Sequence, residues 1–126
     1  MKYTVNQLAI SAYWLVAGKD GKIDGEEYAE GWNMLKHNEN FEQSRDDWAM
    51  IKGLFMTKHL EWDEIAACVA ELPLLSRYHI IRYVVQCLNK IKGRDDHSVD
   101  SWPALQEFSN HVGIYLKAYN VWSQSS

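Results

Sequence analysis

Residues 20–27 read DGKIDGEE. Four of the eight positions are carboxylates, two are glycines, and Ile23 is the lone apolar residue between them. Asp24 followed three residues later by Glu27 is the pattern of a capping box, with Asp at the N-cap and Glu at the third helical position. Glu26 and Glu27 suit the positive end of the helix dipole. Asp20-Gly21 is a favourable turn pair, and Ile23 stands where a hydrophobic staple precedes the cap. The stretch therefore predicts a turn that ends one helix and starts the next. The competing reading is a calcium loop. With Gly21 at the sixth position of an EF-hand, Val16 and Gly18 fall on the first and third ligand positions, and neither carries a side-chain oxygen. A standard EF-hand thus fails. A smaller, weak divalent-cation site, for an ion such as calcium, remains to be weighed at Asp20, Asp24 and Glu27, with structural capping as the rival use of the same oxygens. No other cofactor is implied.

Working outward, apolar residues recur at three and four positions almost everywhere, and strand-like alternation is nearly absent. Val5, Leu8, Ala9, Ala12, Leu15 and Val16 form one helical face, and Gly18 stands where a helix-ending glycine is expected. Beyond Asp24, Tyr28, Trp32 and Leu35 point inward. After the polar break KHNEN (36–40), Ser44 with Asp47 resembles a second capping box, opening a helix that presents Trp48, Ile51 and Phe55. HLEWDE (59–64) opens a short helix carrying Ile65, Val69 and Leu72. Pro73 marks a boundary, and Tyr78, Ile81, Val85, Leu88 and Ile91 make the longest apolar stripe, expected to be the central helix and to stop at Gly93. An acidic loop, RDDHSVD (94–100), precedes a helix with Leu105, Phe108 and Val112 that ends at Gly113. A last short helix is expected over 115–122. The fold class is all-α, a single domain over residues 1–126 of about six to seven helices.

Shifting the chain by 76 residues lays LVAGKDGKIDGEE (15–27) over IKGRDDHSVDSWP (91–103). Asp20 then falls on Asp96, Ile23 on Val99 and Asp24 on Asp100. Each copy reads helix, acidic turn, apolar plug, Asp cap, helix, which predicts two pseudo-repeated halves.

Composition narrows the function. Net charge is −4, and there is no clustered Lys or Arg of the kind that phosphate contacts need, which argues against nucleic acid as a partner. A basic protein surface or a cation is the electrostatic complement, and Asp20, Asp24, Asp95, Asp96 and Asp100 are the candidate contact residues. Six tryptophans divide between core and the anchors that interfaces favour. No window approaches the length of a membrane span, and the N-terminal stretch lacks the pattern of a signal peptide, so a cytoplasmic protein is expected. Cys68 and Cys87 lie in helical apolar patterns and read as free thiols, although spacing alone leaves a disulfide open. The five histidines show no zinc spacing. His79 is expected to be hydrogen-bonded at a helix edge, and His97, beside Asp95, Asp96 and Asp100, is the better metal candidate of the five, although a solvated loop is the favoured reading of that stretch. Arg77 and Arg82 read as snorkelling surface charges. No nucleophile elbow, dinucleotide fingerprint or phosphate loop occurs, so an enzyme is not expected.

The stretch VAGKDGKIDGEE resembles the first motif of the tellurite-resistance TerB-like domains. The matching positions are Ala17, Asp20, Gly21, Ile23 and Glu27, with RDDHSVD and HVGI (111–114) in the places of the second motif. The resemblance covers roughly residues 4–122. In the second copy His97 replaces the glycine and Pro103 the acidic residue. The resemblance implies an all-helical bundle of two related halves and a non-enzymatic interaction or sensor module tied to stress or defence, with acidic residues that have been proposed as a cation site. The alternative from size, charge and aromatic content is an acidic inhibitor or immunity protein that blocks a basic partner such as a toxin or nuclease.

Overall fold

The computed structural model describes residues 2–91 and 101–116. Among them the chain forms six helices: α1 (Val5–Ala17), α2 (Gly25–Lys36), α3 (Arg45–Met56), α4 (Trp62–Ala70), α5 (Leu74–Ile91) and α6 (Ser101–His111). No strand occurs among the described residues. The expected stop at Gly93, the acidic loop 94–100 and most of the expected helix over 115–122 lie outside them.

The centre of the bundle is α1 rather than α5. Every residue from Leu8 to Ala17 is buried, because a helix apolar on all sides must be covered on all sides. Helices α3, α4, α5 and α6 surround it. The buried Ser11 hydroxyl donates to the Gln7 carbonyl one turn back, so no partner is lost. A capping box unremarked in the sequence starts α1. The Thr4 hydroxyl accepts from Gln7 N–H, and the Gln7 side chain accepts from Thr4 N–H.

That box is wired into α3. The Ser44 hydroxyl caps Asp47 N–H, but the Asp47 carboxylate does not return the bond. It accepts instead from Asn6 Nδ2 at 2.8 Å and Gln7 Nε2 at 3.0 Å. Asn6 Oδ1 in turn accepts from Glu42 N–H at 2.7 Å. The expected second capping box is therefore half formed, and its free half clamps α3 to α1.

Helix α2 is attached differently. Its buried residues are Glu27, Gly31 and Leu35, four apart on one face, while Tyr28 and Trp32 are only half-buried on its flank. Two fully buried tyrosines fasten it. The Tyr13 hydroxyl of α1 donates to the Glu27 carbonyl, and the Tyr83 hydroxyl of α5 donates to the Gly31 carbonyl at 2.7 Å. The two rings lie 5.9 Å apart. A Cβ on Gly31 would run into the Tyr13 ring and approach Trp48 to 3.1 Å, so only glycine lets α2 come this close.

The helix ends divide between conformation and space. Gly18 has φ −98, and glycine is required there because a Cβ would lie 2.5 Å from the Phe55 ring and 2.7 Å from the Trp14 carbonyl. The left-handed residue of that turn is Gly21, at φ 92. Helix α6 closes as expected at Gly113, φ 78. Ile114 N–H bonds the Ser109 carbonyl and Gly113 N–H the Asn110 carbonyl, the paired bonds of a Schellman motif. Helix α3 closes with the same pair, His59 to Leu54 and Lys58 to Phe55, but its left-handed position is Lys58, at φ 63.

Proline 73 precedes α5 as expected, but the N-terminal end of the predicted stripe is not core. Leu74, Leu75 and Tyr78 are exposed, and burial along α5 begins at Ile80. Arg77 is not a free surface charge. Its guanidinium donates to the Leu72 carbonyl at 2.9 Å and the Val112 carbonyl at 3.0 Å, tying the α4–α5 turn to the end of α6. The described parts of the two halves also cross-pack: α2 lies on α5, and α6, 76 residues beyond α2, lies on α1.

Two substitutions test these placements. Gly31→Ala normally favours a helix by roughly 1 kcal/mol, but against the Tyr13 ring it is expected to lower stability by about 1–3 kcal/mol in chemical denaturation. Lys58→Gly removes a left-handed penalty of about 1 kcal/mol and is expected to raise the denaturation midpoint.

Candidate functional site

The DGKIDGEE turn is closed by side chains that all have structural partners. Asp24 Oδ1 accepts from Glu27 N–H at 2.8 Å, and Glu27 Oε1 accepts from Asp24 N–H at 2.9 Å, so the first capping box is complete. Asp20 Oδ1 accepts from Lys22 N–H at 3.1 Å, an Asx turn. Ile23 is half-buried against the core. Glu27 is only 6% exposed. A carboxylate is tolerable there because a backbone N–H faces it and the helix N-terminus is positive.

The structure thus brings Asp24 and Glu27 together and leaves Asp20 exposed on the preceding turn. Among the described residues, no three His, Cys, Asp or Glu side chains gather as a metal site. Asp20 lines a shallow cleft of about 260 Å³ with Lys19, Pro103, Ala104 and Glu107. Lys19 spans it, 3.7 Å from Glu107 and 4.1 Å from the Trp62 ring centre. Asp95, Asp96, His97 and Asp100 lie outside the described residues.

Cys68 and Cys87 are both free thiols. Burial pushes the Cys87 thiol well above its ordinary range, and burial with Glu64 and Glu71 nearby raises Cys68. Neither is poised as a thiolate nucleophile. His79 differs from expectation, since its Nδ1 is buried with no hydrogen-bond partner among the described residues. It lines a polar cleft of about 370 Å³ with His37, Asn38, Asn40, Arg82 and Gln86, together with Glu39.

No family model, curated protein or solved structure matches this chain. No helix among the described residues is long and apolar enough to cross a membrane.

A third cleft went unread in the sequence. It lies between α2 and α3, holds about 360 Å³, and is lined by Tyr28, Trp32, Arg45, Trp48, Ala49 and Lys52. Trp48 is its buried back wall, with the Tyr28 ring 5.3 Å and the Trp32 ring 5.4 Å away. Behind Trp48, Trp14 continues the aromatic cluster to Phe55. The five described tryptophans all pack on the core, yet Trp32 keeps part of its surface in this cleft. The sequence signal was the spacing itself. Tyr28 and Trp32 are one turn apart on α2, and Arg45, Trp48 or Ala49, and Lys52 are one turn apart on α3.

The cap and the cation site make different demands on Asp24. Asparagine serves as well as aspartate at an N-cap, and alanine costs about 1 kcal/mol, whereas a calcium site needs the charge. Asp24→Asn is expected to leave the melting temperature nearly unchanged, Asp24→Ala to lower it, and millimolar calcium to move neither wild type nor variants. A calcium-induced rise of several degrees in wild type that Asp24→Asn abolishes would identify the turn as a cation site.

Proposed function

We propose that the protein is a non-enzymatic interaction or sensor module of TerB-like type, linked to stress or defence, which engages a basic protein surface through its acidic turns. The observation that carries this reading is the α1–turn–α2 unit. The reciprocal Asp24–Glu27 cap and the buried Tyr13 bond to the Glu27 carbonyl hold the turn rigidly, and Asp20 is presented at its exposed tip. The cross-packing of α2 on α5 and of α6 on α1 supports the two related halves that the TerB-like resemblance implies. Asp95, Asp96 and Asp100 are the counterpart acidic set of the second half. A rigid display of like charge steers an opposite surface and fixes register, with most of its effect on association rate.

The test is kinetic. The full chain is cross-linked in its own cells to recover the partner, and association of the purified pair is followed by stopped flow. The rate is expected to fall several-fold from low to high salt as screening shortens the reach of the carboxylates. Asp20→Lys is expected to slow association at low salt and to matter little at high salt. A rate indifferent to both salt and Asp20→Lys overturns the proposal.

A further inference from the structure

The α2–α3 cleft carries an inference independent of the acidic turns. Helices α2 and α3 each pack against other helices, α2 mainly on α5 and α3 on α1, and their backbones make few close approaches to each other. The gap is floored by rings instead. Tyr28 and Trp32 stand half-buried on one side and the exposed Ala49 on the other, with Trp48 at the bottom. Ala49 presents only a methyl group on that side.

The rim is cationic. Arg45 and Lys52 are exposed, and neither forms a salt bridge among the described residues. Seven residues apart on one helix, they stand about 10 Å from each other. Lys52 Nζ already lies 5.2 Å from the Tyr28 ring centre, so aromatic face and cation act on the same space. No lining residue is acidic, although the chain as a whole carries net charge −4. The carboxylates next to lining residues in sequence are Glu27, buried in the cap of α2, Asp46, exposed in the first turn of α3, and Asp47, drawn away onto Asn6 and Gln7; Glu30 lies two residues from Tyr28 and Trp32 and does not line the cleft.

We propose that this cleft binds a small planar anion: an aromatic ring, nucleotide-sized or less, that carries a carboxylate or phosphate. The ring lies against Tyr28, Trp32 and Trp48, where offset or edge-on packing is favourable. The anionic group meets the Arg45 guanidinium, whose fork matches carboxylate and phosphate oxygens, with Lys52 at the other end of the cleft. The volume lies in the range of small-molecule sites. A long acidic polymer is disfavoured, because beyond the reach of these two cations it meets a surface of net negative charge.

Calorimetric titration of the full chain tests this with adenosine monophosphate, adenosine and indole-3-acetate. Binding of adenosine monophosphate or indole-3-acetate is expected with a Kd of about 1 mM or tighter, and of adenosine at least about tenfold more weakly, for want of a charge-assisted bond. Binding by only one of the two anions supports the site and distinguishes a phosphate-bearing from a carboxylate-bearing ligand. Arg45→Gln is expected to weaken the anion about tenfold, and the Arg45→Gln, Lys52→Gln double variant to abolish binding. Both side chains are exposed, so a thermal melt is expected to show the fold intact. Ala49→Leu keeps both cations and narrows the cleft, and it is expected to weaken binding about tenfold or more. The proposal is overturned if neither anion binds below about 10 mM, if adenosine binds as well as its monophosphate, or if the double variant or Ala49→Leu binds like wild type.

Discussion

Two buried tyrosine hydroxyls hold the arrangement together. Tyr13 and Tyr83 enter from α1 and α5 and donate to carbonyls four residues apart on α2. Burial pushes both phenols well above their ordinary pKa, so they stay protonated as donors. Helix α2 needs this attachment because its inward face is Glu27, Gly31 and Leu35, of which only leucine offers much apolar surface. A fully buried hydroxyl without a partner is costly. The same bonds therefore satisfy the tyrosines and specify how deep and in what register α2 lies. Gly31 allows the depth, and the ring of Tyr13 occupies the space its missing side chain leaves.

Much else follows from that contact and from the full burial of α1. With α2 held mainly on α5 and α3 clamped on α1 through Asn6, Gln7 and Asp47, the two helices flank a gap that backbone does not close. Aromatic side chains fill its floor, and the indole N–H groups of Trp14 and Trp48 are buried there without a hydrogen-bond partner among the described residues. Such unpaired groups are uncommon in well-packed proteins. The cleft and the acidic turn are thus separate consequences of one frame: a cationic, aromatic concavity on the α2–α3 side, and a rigid carboxylate-bearing turn where α1 meets α2.

The acidic turn shows how one set of oxygens serves structure first. Asp24 and Glu27 each accept a backbone N–H from the other, which orients both carboxylates along the start of α2. An ion drawing on them would compete with helix-starting bonds, whereas Asp20 uses one oxygen for a local turn and keeps its exposure. The charge that faces outward and the charge that caps are divided between neighbouring residues.

The sequence by itself determined the elements. Helical spacing, the Asp24–Glu27 cap, Pro73 before α5 and Gly113 after α6 all act over three to five residues, so their physics is contained in a short window. The tertiary structure decided what long-range packing controls. Stripe length pointed to α5 as the centre, but α1 takes that place because it is apolar on every side while the first turn of α5 remains exposed. Asp47 left its own cap for two amides forty residues away, and Arg77, seemingly a surface charge, became a tie between distant turns. Gly18 resembled a conformational glycine and proved to be a spatial one, answering to Phe55 on another helix. The α2–α3 cleft was least legible of all. Its six lining residues come from two helices whose separation is set by tyrosines on two others, and no local pattern encodes that distance.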